Sequence, residues 1–415
     1  MFGKARYFLG WISYKLLLLK ITIYYNISLL LQSLLNLLFG PTCLQREHDG
    51  ILCYDILLDW RVILFLRLES CSWFKQSNCK QMFSLKFKEV VDFSCLEEED
   101  VSLYCVSEEE FVFVRTVPGS DIYNTASHPF LYMTQHLSAR QVMVASREAV
   151  LDHIRSAGPR DGGNITLLHN VGRCGSTLMS SVLHRTGECR VLAEPWPLLD
   201  LSALHARGRL SEVEMTALIR ATLLLLAPDP DTRYFLKPHN VALYWLPFTK
   251  AALPAMREIF MTRDIGPTVE SFAKVYRTSL PYERVENINI DLYPGYLRDI
   301  WMAFRGDADN EKCLLFTYLS FHHVLQRTGR TDIPIHTFEN LQENKADFCE
   351  RFFSDAGVPA EFVRKGMLAI EFDSQKNSPV AWSSVVDKKS FKAESLTWAK
   401  EIASELKKSN YILGY

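Results

Sequence analysis

The run Ile165-Thr166-Leu167-Leu168-His169 leads into Asn170-Val171-Gly172-Arg173-Cys174-Gly175-Ser176-Thr177, and Leu178-Met179-Ser180-Ser181-Val182-Leu183 follows. The first part is apolar and bounded by turn residues, which predicts a strand over Ile165–His169. The last part predicts a helix over Ser176–Arg185, with Ser176 and Thr177 placed to cap it. A glycine-bearing turn between a strand and a helix N-terminus aims several backbone N–H groups at one point, and the helix dipole adds to them. The segment therefore reads as an anion-binding loop in an α/β fold. A plain strand–turn–helix with a capped end is the other reading, since Gly172 and Gly175 alone do not require a ligand.

On the carboxyl side, strands and helices alternate, the pattern of a parallel sheet. Strands are expected at Cys189–Ala193, Tyr234–Lys237, Glu258–Thr262 and Ile333–Thr337. Helices are expected across Glu212–Leu226, Thr268–Tyr276, 296–327 with a break near Gly306, and Lys345–Ala356. On the amino side, Ser156-Ala157-Gly158-Pro159-Arg160-Asp161-Gly162-Gly163 is punctuated by Gly and Pro and reads as a linker. Before it the text is strand-like from about 86 to 145, clearest at Phe111-Val112-Phe113-Val114, with an apolar helix expected over Ala139–Ile154. Residues 41–85 read as irregular. The expected architecture is a three-layer α/β fold of P-loop type with a central parallel sheet over 160–415. A smaller, partly β region at 41–159 precedes it, and residues 1–40 form a separate segment.

The chain has 415 residues, room for two or three domains or one large α/β domain with an appendage. At 48% hydrophobic and 23% charged residues it lies near the globular average, which excludes wholesale disorder. Lys and Arg number 46 against 48 Asp and Glu, so a general nucleic-acid binder is not expected. A local basic pocket for a small anion remains compatible with that balance.

Every charge in the first forty residues is basic: Lys4, Arg6, Lys15 and Lys20. The uncharged run Ile21–Phe39 is about long enough to cross a bilayer, although Asn26, Gln32 and Asn36 interrupt it. No small-residue cleavage signal follows. A signal anchor with its basic end cytoplasmic leads; an amphipathic interfacial helix and a soluble helix are the alternatives. Cys43, Cys53, Cys71, Cys79, Cys95 and Cys105 crowd the first quarter of the chain without a Cys-x-x-Cys pair, so a zinc ribbon has little support. They are either luminal disulfides or scattered buried thiols. Asn164-Ile165-Thr166 is a glycosylation sequon, but it opens a predicted core strand.

The loop departs from the nucleotide-hydrolysing pattern in one respect. Gly175 is followed by Ser176 rather than Lys, and the cation sits earlier, at Arg173. In this it resembles the 5′-phosphosulfate loop of sulfotransferases, which use 3′-phosphoadenosine 5′-phosphosulfate (PAPS). In that family a Lys or Arg precedes a small residue, Gly and a Ser/Thr pair, as in Arg173-Cys174-Gly175-Ser176-Thr177. The family's second element is an Arg ending a later strand with a Ser eight residues on, which together hold the 3′-phosphate. Arg263 and Ser271 match it, a guanidinium fork and a hydroxyl suited to a phosphate. Ile335-His336-Thr337-Phe338-Glu339-Asn340-Leu341, the helix after it and Gly357-Val358-Pro359 look like a third family segment, so the resemblance spans about 160–375.

The resemblance implies PAPS as co-substrate, bound by Arg173, Cys174, Gly175, Ser176, Thr177, Arg263 and Ser271, with no metal required. It implies in-line sulfuryl transfer to a hydroxyl or amine, needing a proton acceptor and cations on the developing charge. Arg173 and Lys237 supply the cations. Two bases are open. Lys237-Pro238-His239 resembles the Lys-x-His of cytosolic sulfotransferases, while Glu194 ends the second strand, where tyrosylprotein sulfotransferases carry a glutamate; Glu194 is slightly preferred. Each has a plainer reading, His239 as a loop histidine and Glu194 as the ion-pair partner of Arg173 or Lys237. The family's Arg-Lys-Gly-x-x-Gly closing loop is not matched: Arg364-Lys365-Gly366 lacks the second glycine, and Asp373–Ser378 occupies the expected region.

The acceptor would be a small molecule, a carbohydrate or a peptide, in a pocket lined around Pro195-Trp196-Pro197, Tyr244-Trp245, Tyr296 and Trp301, residues that would equally suit a core. The Golgi-type resemblance with the basic, apolar N-terminus implies a single-pass type II protein of the Golgi or another endomembrane; a cytoplasmic protein is the alternative. Two rival functions remain. One is a P-loop kinase or NTPase, disfavoured by the missing Gly-Lys; the other is a non-catalytic nucleotide-binding membrane or scaffold protein on the same fold.

Overall fold

The computed structural model describes residues 50–58, 83–124, 130–279, 293–304, 310–370 and 393–408. The first sheet is built from β1 (Ile51–Leu58), β2 (Ser84–Val91), β3 (Val101–Val106), β4 (Glu110–Thr116), the helix α1 (Leu131–Ser138) that leads into β5 (Ala139–Ser146), and α2 (Arg147–Ser156) after it. Its strand order is β2-β1-β5-β4-β3, antiparallel throughout. Side chains alternate along β4: Phe111 and Phe113 enter one apolar cluster, Val112 and Val114 another. This period of two buries both faces.

Two expectations fail in this region. Ala139–Ile154 is not one helix but β5 followed by α2, with Ser146 Oγ capping α2 by accepting from the Ala149 N–H at 3.2 Å. The run Val142-Met143-Val144-Ala145 is apolar at every position, so its periodicity is mute. Pairing with β1 and β4 on either side decides it as a strand. Part of the stretch read as irregular is β1, which sits between β2 and β5.

The second sheet carries the quoted loop. In chain order it comprises β6 (Ile165–Asn170), α3 (Ser176–Thr186), β7 (Arg190–Ala193), α4 (Trp196–Arg207), α5 (Glu212–Leu226), β8 (Tyr234–Lys237), β9 (Arg257–Thr262), α6 (Ile265–Ser279), α7 (Gly295–Phe304), α8 (Asn310–Arg327), β10 (Ile335–Thr337), α9 (Lys345–Asp355), α10 (Val363–Ala369) and α11 (Ala393–Lys408). The order is β10-β9-β6-β8-β7 and every pairing is parallel. The three-layer α/β arrangement is therefore as expected. One face packs Leu168, Val191 and Phe235 against helices that include α3, α8 and α9. The other packs Leu167, Leu192 and Leu236 with α4, α5 and the inner face of the antiparallel sheet. That second cluster is continuous across both sheets. The chain crosses from the β7–β8 side of β6 to the β9–β10 side, and such a reversal leaves a crevice at the carboxyl ends of the strands.

The sequence reading missed α4, which starts at Trp196-Pro197, where proline's fixed φ suits a first helical turn. Cys53, Cys95, Cys105, Cys174, Cys189, Cys313 and Cys349 are buried and not joined in disulfides; Cys43, Cys71 and Cys79 lie outside the described residues. Asn164 of the sequon donates from Nδ2 to the Asp229 and Thr232 carbonyls at 3.0 and 2.9 Å, and Thr166 is buried, so the tripeptide serves to seat β6. Among the described residues no helix is long and apolar enough to cross a membrane. The expected anchor within 1–40 lies outside them.

Candidate functional site

Asn170, the last residue of β6, organises the loop. Its Oδ1 accepts from the Gly172 N–H at 3.0 Å and from Ser176 Oγ at 3.3 Å, while its Nδ2 donates to the Pro238 carbonyl at 3.0 Å. The loop is thereby tied to the end of β8. Gly172 and Gly175 hold φ of 77° and 86°. A Cβ on Gly172 would stand 2.5 Å from the Phe272 ring, and one on Gly175 2.8 Å from Phe338. Both positions thus need glycine for space as well as conformation. Gly175 is the N-cap of α3, whose first N–H groups have no partner within the helix.

Arg173 is half-buried and donates from Nε to Ser271 Oγ at 2.9 Å. The residue read for the phosphosulfate end of PAPS and one read for its 3′-phosphate are thus directly joined. Arg263, at the end of β9, donates to the Arg173 carbonyl at 3.2 Å, and its guanidinium lies 4.5 Å from the Phe338 ring centroid. Tyr318 Oη donates to the Arg263 carbonyl, which fixes that strand end. Arg263 Nε is buried without a hydrogen-bond partner, a donor that an anion would satisfy. The loop and Arg263 therefore fit a phosphate-bearing ligand. The Cys174 side chain is fully buried and burial pushes its thiol pKa up, so what it can offer a ligand is its backbone N–H.

Glu194 follows β7 and Lys237 ends the neighbouring β8. The Glu194 N–H donates to the Lys237 carbonyl at 2.6 Å, and the two side chains form an ion pair. Burial alone would raise the Glu194 pKa, but Lys237, His239 and Arg173 together hold it below the ordinary carboxylate value. His239 caps the 3-10 segment Asn240–Phe248, and burial lowers its pKa against the opposing pull of Glu194. It is therefore neutral at pH 7. Arg173 (φ 54°) and Glu194 (φ 51°) are the only non-glycine residues with positive φ among the described residues. Each costs on the order of 1 kcal/mol, and such strain gathers where a side chain must be aimed.

All the residues read as site residues lie at this carboxyl edge: on the β6 loop and the first turn of α3, at or just after the ends of β7 to β9, and, for Ser271, in α6. Asn170, Phe272 and Phe338 were missed. Asn170 could have been found, since an Asn at a strand end followed by Gly is an Asx-turn signal; nothing local marks the two rings. Several expected pocket aromatics are core instead. Trp245 is fully buried and donates from Nε1 to the Leu198 carbonyl at 3.1 Å, Tyr244 packs between Tyr293 and Phe321, and Trp301 between Phe316 and Trp398. Lys365 and Gly366 lie within α10, where Lys365 Nζ donates to the Thr186 carbonyl at 2.6 Å and closes the end of α3. Asp373–Ser378 lies outside the described residues. Among the described residues no cluster of three His, Cys, Asp or Glu side chains is placed to hold a metal ion.

No family model and no curated protein matches this chain. Solved structures do. A retinol dehydratase in complex with androsterone and the inactive cofactor PAP shares 14% identity over 66% of this chain and 91% of its own, with a TM-score of 0.37. A mouse sulfotransferase complexed with PAP shares 12% identity over 64% and 91%, with a TM-score of 0.35. A sulfotransferase domain from the curacin biosynthetic pathway shares 12% over 60% and 99%, with a TM-score of 0.32. This chain is similar to these sulfotransferase structures. At such low scores the overlap is a resemblance only, and the α/β architecture rests on the strand order and pairing given above.

Proposed function

We propose that this protein transfers a sulfuryl group from PAPS to an acceptor hydroxyl or amine. The observation that carries the reading is the convergence of Arg173, Lys237 and Arg263 with Glu194 on adjacent strand ends, two of them held at strained φ. Loop N–H groups and Arg173 would receive the phosphosulfate. Arg263 and Ser271 would receive the 3′-phosphate; Ser271 Oγ accepts from Arg173 and keeps its own proton to donate.

In the displacement the sulfur–oxygen bond to the nucleotide breaks as a bond to the acceptor oxygen or nitrogen forms. Lys237 and Arg173 stabilise the charge left on the bridging oxygen, and Glu194 takes the acceptor's proton. Held ionised by Lys237, Glu194 is always available but is a weak base. His239, neutral and beside it, is the second candidate for that proton. These roles need no divalent ion in principle. The acceptor is a small molecule, a carbohydrate or a peptide, and the basic, apolar segment 1–40 would hold the enzyme at an endomembrane.

Thermal unfolding with adenosine 3′,5′-bisphosphate, ATP and GTP tests the nucleotide. Stabilisation by the bisphosphate alone is expected; a shift with ATP or GTP instead would restore the kinase reading. Transfer from labelled PAPS to any acceptor separates the enzyme from a non-catalytic binder.

A further inference from the structure

Backbone pairing between β6 and β8 stops short of the site. Its last register is Leu167↔Leu236, and Pro238, which follows β8, has no N–H with which to extend it. The side chain of Asn170 spans the gap instead. It is 2% exposed and donates from Nδ2 to the Pro238 carbonyl at 3.0 Å. Its Oδ1 accepts from the Gly172 N–H at 3.0 Å and from Ser176 Oγ at 3.3 Å. On the other side of β8, the Lys237 carbonyl accepts from the Glu194 N–H at 2.6 Å. Two successive carbonyls, those of Lys237 and Pro238, are thus held from opposite sides, one by the turn that carries Glu194 and the other by the anion loop. A second contact joins loop and turn, since Asn240 Nδ2 lies 3.2 Å from the place a Gly172 Cβ would take.

From this arrangement we propose that Asn170 is a positioning residue, which carries the order imposed by a nucleotide at the loop into the Lys237-Pro238-His239 turn. The inference rests on the nucleotide part of the sulfuryl-transfer reading and adds how its two halves are linked. The first N–H groups of α3 have no partner within the helix, and the loop holds Gly172, Arg173 and Gly175 at positive φ. An anion that bonds those groups stiffens the loop. Asn170 has two side-chain torsions, and its three bonds fix both, so a loop that stops moving stops Pro238 moving with it. Lys237 and Glu194 are then brought to fixed positions by the same event that delivers the sulfuryl donor. A plain turn residue would need the Gly172 bond alone, which a serine at this place would also make. The bond to Pro238 is what asparagine adds.

Hydrogen exchange of the full chain, read by mass spectrometry with and without saturating adenosine 3′,5′-bisphosphate, tests this. In wild type the bisphosphate is expected to slow exchange about three- to tenfold, the weight of one hydrogen bond, in two places. One is the loop, 170–183; the other is the Glu194 and Ala242 amides, which bond the Lys237 and His239 carbonyls. Asn170→Ser keeps an oxygen for the Gly172 N–H but cannot reach Pro238. It should retain the slowing in the loop, bind the bisphosphate within about threefold of wild type, and lose the slowing at Glu194 and Ala242. Asn170→Asp keeps the size and the loop acceptor but sets an oxygen against the Pro238 carbonyl, and at higher bisphosphate it should behave the same way. Slowing at Glu194 and Ala242 that survives in either folded variant, or that is missing from a wild type slowed in the loop, overturns the role of Asn170 and leaves the nucleotide reading standing. No slowing and no stabilisation of wild type by the bisphosphate overturns the nucleotide reading, and the coupling falls with it.

Discussion

The two sheets of this protein use polar side chains in opposite ways. In the antiparallel sheet they answer one another across strands: Gln141 Nε2 donates to Asp55 at 2.8 Å, its Oε1 accepts from Arg115, and Arg115 pairs with Glu98. Its strands run both ways, so no end gathers like charges. In the parallel sheet every strand ends on the same side, and Arg173, Glu194, Lys237 and Arg263 meet there with helix N–H groups that have no partner within their own helix. Parallel topology thus concentrates unmet polar capacity at one edge.

The largest expected effect sharpens this contrast. Glu194→Gln and Lys237→Ala should each slow single-turnover transfer by about 10²–10⁴, whereas Arg115→Ala should leave it within about twofold of wild type. The pH profile then separates the two bases. With Glu194 as base, its lowered pKa keeps transfer constant as pH falls through 6 to below the ordinary carboxylate range. With His239, transfer fades as the imidazole protonates somewhat below its ordinary 6.5.

The next effect concerns what supports the edge from below. Glu258 of β9 is buried and accepts from Thr249 Oγ1 at 2.8 Å and Arg330 at 2.6 Å, with His169 Nε2 at 3.0 Å. Burial would raise its pKa, yet His169 and Arg330 bring it below the ordinary value of 4.5. The folded carboxyl is therefore the stronger acid. Its stabilisation is complete above about pH 4.5 and is lost as pH falls through the folded value. Glu258→Ala should cost about 3 kcal/mol in urea unfolding at pH 7 and less at pH 3.5. An equal cost at both would show that packing, not charge, holds this end of the sheet.

The parallel half was legible because its signals are local. The loop, the α5 bounds and strand Tyr234–Lys237 came from short runs with their own caps and breaks, and Ser211 with Glu214 forms a capping box ahead of α5. Arg263 and Ser271 were read from the family resemblance alone, since nothing local in the sequence marks them as a pair. The antiparallel half was opaque because its strands are decided by distant partners. Val142 pairs with Val114 and Tyr54, and neither is near it in sequence. The Arg173–Ser271 bond and the approach of Phe130 to Lys237 are likewise tertiary. Only the packing of the two sheets creates them.

A smaller effect tests Arg263, whose Nε is buried without a hydrogen-bond partner among the described residues. Arg263→Ala should weaken adenosine 3′,5′-bisphosphate about 10- to 100-fold by calorimetry, the loss expected for a charged hydrogen bond. Arg263→Lys should recover only part of it, because an ammonium cannot reproduce the planar fork over Phe338. Full affinity in the Ala variant would remove Arg263 from the site.

The smallest effect lies at the seam between the sheets. Asp200 of α4 is buried, and its Oδ2 accepts from the Val106 N–H at the end of β3 at 2.9 Å. Burial drives its pKa from 3.8 up to about 8, against the opposing pull of the Val106 N–H and Arg207. Between those two values the folded chain holds a proton that the unfolded chain has lost, so stability falls as pH rises through that window and levels off above it. Asparagine is the neutral isostere and can still accept from Val106. Asp200→Asn should therefore match wild type near pH 4 and exceed it near pH 8, by a margin that grows across the window. Denaturant unfolding at the two pH values reads the difference directly. A variant no more stable than wild type at pH 8 would mean that the carboxylate is accommodated at the seam, and that the two sheets are joined there by charge rather than by a shared apolar core.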